Sequence, residues 1–73
     1  MRFSSREIVE LLRDQFPVGC RVELLQMDDP QAPPMLTKGT VTEVDDIGSI
    51  VVCWDNGCGL SVAYGEDRCR RID

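Results

Sequence analysis

The beginning of the chain has the hydrophobic spacing of an amphipathic helix. Ile8, Leu11 and Leu12 lie three and four positions apart among charged residues, so their side chains share one face of a helix. Pro17 ends the pattern, because proline disrupts a continuing helix. We therefore predict a helix over residues 4–15 that docks on the rest of the protein through this apolar face.

A start signal precedes this helix. Ser4 and Glu7 have the spacing of a capping box, in which two side chains satisfy unpaired backbone N–H groups of the first turn. Phe3 and Ile8 occupy the positions of a hydrophobic staple, which packs the residue before the cap against the first turn. The helix is therefore predicted to begin at Ser4.

After the helix, the hydrophobic period falls from about 3.6 residues to two, which is the alternation of half-buried β-strands. Short strands are predicted over residues 20–24, 38–44, 49–54, 60–62 and 68–72. Val41 and Val44 lie three positions apart instead of two, which predicts a bulge near residues 42–43. Asp55-Asn56-Gly57 has the composition of a tight turn and predicts a hairpin.

Taken together, these elements predict a mainly β fold. We expect one domain over residues 1–73, made of the helix and a small, strongly bent, five-stranded antiparallel barrel over residues 19–73. The predicted core residues of the barrel are Val22, Leu24, Val41, Ile50, Val52, Trp54, Leu60 and Val62.

The charge is acidic and unevenly distributed. Eight basic and thirteen acidic side chains give a net charge of −5, and Lys38 is the one basic residue within 26–67, against eight acidic residues. A nucleic-acid-binding surface needs the opposite sign, because affinity comes largely from basic groups that displace counterions. This composition favours either a solvated acidic surface or one that attracts a basic partner.

Four cysteines occur, at Cys20, Cys53, Cys58 and Cys69, and histidine is absent. Their spacing does not match the paired C-x-x-C knuckles of zinc sites, so free thiols are expected, with a site built from all four thiolates as the alternative. By strand phase, Cys20 should point inward and Cys53 outward. No metal and no cofactor are therefore predicted.

An enzymatic function has little support in the sequence. Histidine is absent, no glycine-rich phosphate-binding loop occurs, and the acidic pairs lie in turn-like segments where aspartate is common. Cys69, between two arginines, is the most favourable candidate nucleophile.

The longest uncharged apolar run, residues 47–54, is far too short to span a membrane, and no signal peptide is visible. We predict a cytoplasmic, non-enzymatic protein with no membrane partner and no catalytic residues.

The order of elements, with a long proline-containing loop after the first strand, resembles an SH3-like barrel. Within it, residues 38–41 (Lys-Gly-Thr-Val) and 52–57 (Val-Cys-Trp-Asp-Asn-Gly) are similar to a pattern in the substrate-recognition domain of Mind-bomb-type ubiquitin ligases. The whole chain is more similar still to an uncharacterised family of short bacterial proteins from phages and mobile elements, a domain of unknown function. The similar stretches are residues 8–10, 17–19, 21–24, 27–34, 44–50 and 64–67. This resemblance implies a fold but no activity.

SH3-like barrels commonly bind ligands between the long first loop and the third-strand hairpin, so the resemblance implies a groove there. The candidate binding residues are Met27, Asp28, Asp29, Trp54, Asp55, Asn56, Tyr64, Glu66 and Asp67. Trp54 is also in phase with Ile50 and Val52, so a core position is its alternative.

The predicted function is a protein-interaction module that binds a basic segment through an acidic-rimmed groove. The alternative is a nucleic-acid-associated SH3-like or KOW-like module, since related barrels in ribosomal and transcription proteins share a similar G-x-V hairpin.

Overall fold

The structure, a computed structural model, describes residues 5–73, in which one helix precedes an antiparallel sheet. The elements are α1 (Ser5–Gln15), β1 (Arg21–Gln26), β2 (Lys38–Val44), β3 (Ser49–Trp54), β4 (Val62–Ala63) and β5 (Arg68–Arg71). The predicted helix and the mainly β character are confirmed. The predicted cap at Ser4 and staple residue Phe3 lie outside the described residues. No helix within residues 5–73 has the length and apolar character needed to cross a bilayer.

The five strands form one sheet in the order β4-β3-β2-β1-β5, and every neighbouring pair is antiparallel. The predicted closed barrel is wrong, because β4 and β5 do not pair with each other. β4 has only two residues, and the chain that follows it turns on itself: the N–H groups of Glu66 and Asp67 both donate to the carbonyl of Ala63. The sheet therefore stays open, with β4 and β5 as its edges.

The predicted bulge lies in β2. The register between β2 and β3 shifts between Val41 and Glu43, so an extra residue is accommodated there. Because of this shift, Val44 returns to the inner face of the sheet and is buried. Val44 was missing from the predicted core, although its spacing from Val41 had indicated the bulge.

The inner face of the sheet carries most of the core. The buried residues are Val9, Leu12, Cys20, Val22, Leu24, Val41, Val44, Ile50, Val52, Trp54 and Val62. Of the predicted core, Leu60 is wrong: it is only partly buried, because residues 58–61 leave the strand conformation before β4 begins. The Leu60 carbonyl instead accepts a hydrogen bond from the indole Nε1 of Trp54, at 2.8 Å.

Gly39 explains part of the Lys-Gly-Thr-Val pattern. It pairs with Trp54 across β2 and β3, and a Cβ at this position would lie 2.9 Å from both the Trp54 ring and the Cys53 carbonyl oxygen. These distances are too short for a real Cβ atom. The Cβ would lie still closer, at 2.5 Å, to Cγ1 of Val52. The glycine therefore makes room for the side chains of both Val52 and Trp54.

The helix docks through a face that matches the prediction only in part: Ile8 and Leu12 contact the core as predicted, and Leu11 does not. Val9 and Leu12 are buried and Ile8 and Phe16 pack against the core, whereas Leu11 is 48% exposed. The prediction that Leu11 docks is therefore wrong. At about 100° per residue, the four contacting side chains span an arc of about 100°, and Leu11 lies about 60° outside it.

An arginine ties the helix to the β2–β3 turn. The guanidinium of Arg13 donates from Nε and Nη2 to the carbonyl of Val44, at 3.2 and 3.1 Å, and from Nη2 to the Asp46 carboxylate, at 3.1 Å. These hydrogen bonds fix the helix at the C-terminal end of β2, whereas the long loop after β1 leads into the N-terminal end of β2 at Lys38.

Candidate functional site

The long loop between β1 and β2 is held in place by its own hydrogen bonds. The Asp29 carboxylate accepts from the backbone N–H of Gln31 at 2.8 Å, and the Asp29 carbonyl accepts from the N–H of Ala32 at 3.0 Å. Within the loop, Pro33 is buried. An aspartate that bonds the backbone two residues on is a common turn-forming device. The loop therefore presents Asp28 and Asp29 from an ordered backbone.

Two of the predicted segments lie beside this loop. The Cys58 thiol contacts the Gln31 carbonyl at 3.8 Å, which places the turn of residues 56–58 next to the middle of the loop. Arg68, directly after the turn of residues 64–67, pairs with Gln26, directly before Met27. The structure therefore brings both predicted turns to the loop, although they are far apart in sequence.

Two of the predicted binding residues belong to the core instead. Trp54 is 1% exposed, so it cannot contact a surface ligand, and its place in the predicted site is wrong. The physical reason is the alternation of β3, which directs Ile50, Val52 and Trp54 to the inner face together. Met27 is partly buried and packs against the same core, so its apolar surface is largely used.

Asp55 is exposed but already paired. Arg21 donates from Nη1 and Nη2 to the two carboxylate oxygens of Asp55, at 2.9 and 2.5 Å, and also from Nη1 to the Thr40 hydroxyl. The hydrogen bond from Arg21 lowers the pKa of the Asp55 carboxyl. Sequence reasoning missed Arg21, although its alternation with Val22 placed it on the outer face of β1.

Asn56 also serves the turn that contains it. Its side-chain oxygen accepts from the backbone N–H of Cys58 at 3.0 Å, and Gly57 closes the turn with a φ of +89°. This left-handed conformation is one that glycine adopts without steric cost. Asp55 and Asn56 therefore shape the hairpin, and their side chains are engaged within the molecule.

The turn of residues 64–67 keeps two of its side chains exposed. The backbone N–H of Tyr64 donates to the Gly48 carbonyl at 3.3 Å, while its ring faces solvent over more than half its area. One carboxylate oxygen of Asp67 accepts from the N–H of Ala63 at 3.0 Å. Glu66 is exposed. Of the predicted site residues, Asp28, Asp29, Tyr64 and Glu66 are thus exposed, and none of them belongs to an ion pair of residues 5–73.

A groove of about 440 Å³ separates this turn from the C-terminal half of α1. Phe16 and Tyr64 line its sides, and Leu12 and Val62 contribute apolar surface. Asp67 and Arg68 also line it, so the charges within it are balanced. The groove adds accessible apolar surface beside Tyr64. Its lining is not acidic, unlike residues 26–67 as a whole.

Most of the basic side chains in residues 5–73 are engaged in ion pairs within the molecule. The pairs in residues 5–73 are Arg6–Glu10, Arg13–Asp46, Arg21–Asp55, Arg70–Glu23 and Arg71–Asp73. Within the same part of the chain, this leaves only Lys38 and Arg68 as basic residues outside an ion pair. Asp28, Asp29 and Glu66 take part in none of these pairs. The loop itself therefore carries two acidic side chains outside these pairs. The two unpaired basic residues lie at its ends: Lys38 follows the loop directly, and Arg68 pairs with Gln26 in the sheet.

The thiols do not form an obvious reactive or metal-binding centre. All four are free, with Cys20 buried and Cys53 exposed as predicted. Burial raises the pKa of the Cys69 thiol to about 11, which disfavours the thiolate that a nucleophile or metal ligand requires. Among residues 5–73, no cluster of three or more histidine, cysteine or acidic side chains is arranged to hold a metal ion. That the protein is metal-free stays a prediction.

Comparison with known proteins identifies the family and not the activity. A search of curated proteins finds no significant match. The family described as "Domain of unknown function (DUF4314)" matches residues 5–72, which is almost the whole chain. The protein therefore belongs to the DUF4314 family.

Proposed function

We propose that this protein is a non-enzymatic protein-interaction module, and that the loop of residues 27–34 binds a basic segment of a partner protein. The observation that carries the proposal is the ordered loop with Asp28 and Asp29 exposed and outside any ion pair of residues 5–73. Glu66 adds a third negative charge from the turn that leads into β5. An SH3-like mode of ligand binding, similar to that of the Mind-bomb-type recognition domain, is part of the proposal.

Two physical arguments support an electrostatic docking surface here. Exposed charges of one sign steer an oppositely charged partner and raise its association rate. A loop that is already ordered loses less conformational entropy on binding than a mobile one. The setting that we propose is the cytoplasm of a bacterium, in proteins of phages or mobile elements, and it rests on the resemblance of the sequence.

The test compares two variants with the same change in net charge. In the first, Asp28→Asn and Asp29→Asn remove the loop charges, while the amide oxygen introduced at position 29 can still accept the Gln31 N–H. In the matched control, Asp14→Asn and Glu43→Gln remove two exposed charges that lie away from the loop. Tagged proteins are used for affinity capture from bacterial lysate, with and without nuclease.

The loop variant should lose most of the capture, and the control should retain it. Capture by the unmodified protein should survive nuclease and weaken as salt increases, because exposed charges are screened. Equal capture by both variants would remove the loop from the binding site. Capture that disappears after nuclease treatment would instead support the nucleic-acid-associated alternative.

A further inference from the structure

The end of the long loop exposes two large apolar side chains in succession. Met35 is 71% exposed and Leu36 is 58% exposed. Neither belongs to the hydrophobic residues that pack against the core in residues 5–73. Folding of the domain therefore gains little from either side chain.

Leu36 also has an unfavourable backbone conformation. Its φ is +71°, and it is the one non-glycine residue in residues 5–73 with a positive φ. In this left-handed region the Cβ of an L-residue approaches the backbone closely, and a branched, bulky side chain is rare there. Strain of this kind persists only where the surrounding structure fixes it, and it is frequent at binding sites.

Hydrogen bonds hold the strained segment rigidly. The N–H of Leu36 donates to the Leu24 carbonyl at 2.7 Å, and the N–H of Leu24 donates to the Thr37 carbonyl at 2.9 Å. The Pro34 carbonyl accepts from both the N–H and the hydroxyl of Thr37, at 3.1 and 2.6 Å. Leu36 and Thr37 thus both oppose Leu24, as in a β-bulge. Leu36 occupies the first position of this bulge, where glycine in the left-handed conformation is common.

We propose that Met35 and Leu36 are the apolar contact of the binding surface, and that the partner segment carries a large apolar side chain beside its basic residues. The proposal rests on the proposed function, because Asp28 and Asp29 of the same loop set the charge of the partner. A leucine that is strained and exposed has no role in folding that a glycine would not fill better. Its side chain is therefore explained by a contact outside the molecule.

The chemistry of the two side chains fits this role. Methionine adapts its flexible thioether chain to different apolar surfaces, and leucine supplies a fixed aliphatic surface on a rigid backbone. A small apolar contact on the same loop as acidic side chains combines affinity from the apolar group with orientation from the charges. The occupant is a protein segment of mixed basic and apolar character.

The partner chemistry is tested by selection from a random library of peptides, each about twelve residues long, on the immobilised protein. We expect selected peptides to be enriched both in Lys or Arg and in Leu, Ile, Phe or Met. Enrichment in basic residues alone would overturn this inference and leave the proposed function standing. Selection without basic enrichment would overturn the proposed function as well.

The role of the loop is tested with the selected peptides on variants. Leu36→Gly should raise Tm by roughly 4 °C by relieving the left-handed strain, and should weaken peptide binding at least about tenfold. Met35→Ser should weaken binding without changing Tm. The control Val18→Ser removes another exposed apolar side chain, on the turn after α1, and should leave binding unchanged. Unchanged affinity in both loop variants, or an equal loss in the control, would overturn the proposal.

Discussion

The inner face of the sheet and the loop of residues 27–37 use apolar side chains in opposite ways. On the inner face, residues such as Val22 and Trp54 are almost completely buried, and the one polar group of the indole has a hydrogen-bond acceptor. On the loop, Met35 and Leu36 are exposed, and Leu36 is strained. The inner face is explained by the stability of the domain, whereas we propose that these loop side chains contact a partner.

Leu24 joins the two regions. Its side chain is buried on the inner face, while its backbone N–H and carbonyl bond the returning end of the loop. The core therefore fixes the position of the loop, because a residue that the core holds tightly also holds Leu36. The end of the loop is therefore held in place by the packing of the Leu24 side chain in the core.

The largest effect should come from removing the buried tryptophan. Trp54→Ala should lower the free energy of unfolding by about 3–5 kcal/mol, because it empties the centre of the core. Tyr64→Ala removes an exposed aromatic side chain and should cost less than about 1 kcal/mol. Urea unfolding followed by circular dichroism measures both. Similar losses for the two variants would contradict the contrast between core and surface.

A matched pair on the helix gives the next largest effect. Leu12 is 4% exposed, so Leu12→Ala should lower the free energy of unfolding by about 2–5 kcal/mol. Leu11, its neighbour, is largely exposed, and Leu11→Ala should change stability by less than about 1 kcal/mol. The same urea titration compares them. A greater loss for Leu11→Ala would mean that the helix docks through the face first predicted from the sequence.

The helix shows why its packing face could be predicted only in part. Ile8, Leu11 and Leu12 form an apolar stripe, but Ile8, Val9, Leu12 and Phe16 form an equally regular one. The predicted helix ends at residue 15, so Phe16 is not part of the predicted apolar stripe. Phe16 continues the helical hydrogen bonding through its N–H to the Leu12 carbonyl, at 2.7 Å, and this shifts the centre of the packing face.

The strands were predicted more closely, because their alternation is a local property. β2 and β3 have the predicted bounds, and the irregular spacing of Val41 and Val44 located the bulge. Closure of the sheet could not be predicted in this way. It depends on whether β4 and β5 are long enough to pair, which is decided by the backbone of the turn between them.

The candidate site was predicted at the level of segments and less well at the level of side chains. The loop and both turns are adjacent, as the resemblance implied, but Trp54 lies below the surface and Asp55 is paired with Arg21. Long-range ion pairs of this kind have no sequence signature. The strain at Leu36 is also invisible in the sequence, because it follows from the register of the loop against Leu24.

The smallest expected effect is the pH dependence contributed by the Arg21–Asp55 pair. Arg21 lowers the pKa of Asp55 in the folded protein below its usual value of 3.8. The stabilising contribution of the pair is therefore complete above that value and is lost as the pH falls through the lowered pKa. Asp55→Asn cannot titrate, so its stability should fall less steeply below about pH 4 than that of the unmodified protein.

Some acid sensitivity should remain in this variant, because Asp73 has a pKa lowered by hydrogen bonds from Arg71 and from the backbone of Arg21. Urea unfolding at a series of pH values from about 6 down to about 2 gives the slope for each protein. If Asp55→Asn shows the same slope as the unmodified protein, the Arg21–Asp55 pair makes no measurable contribution to the pH dependence of stability.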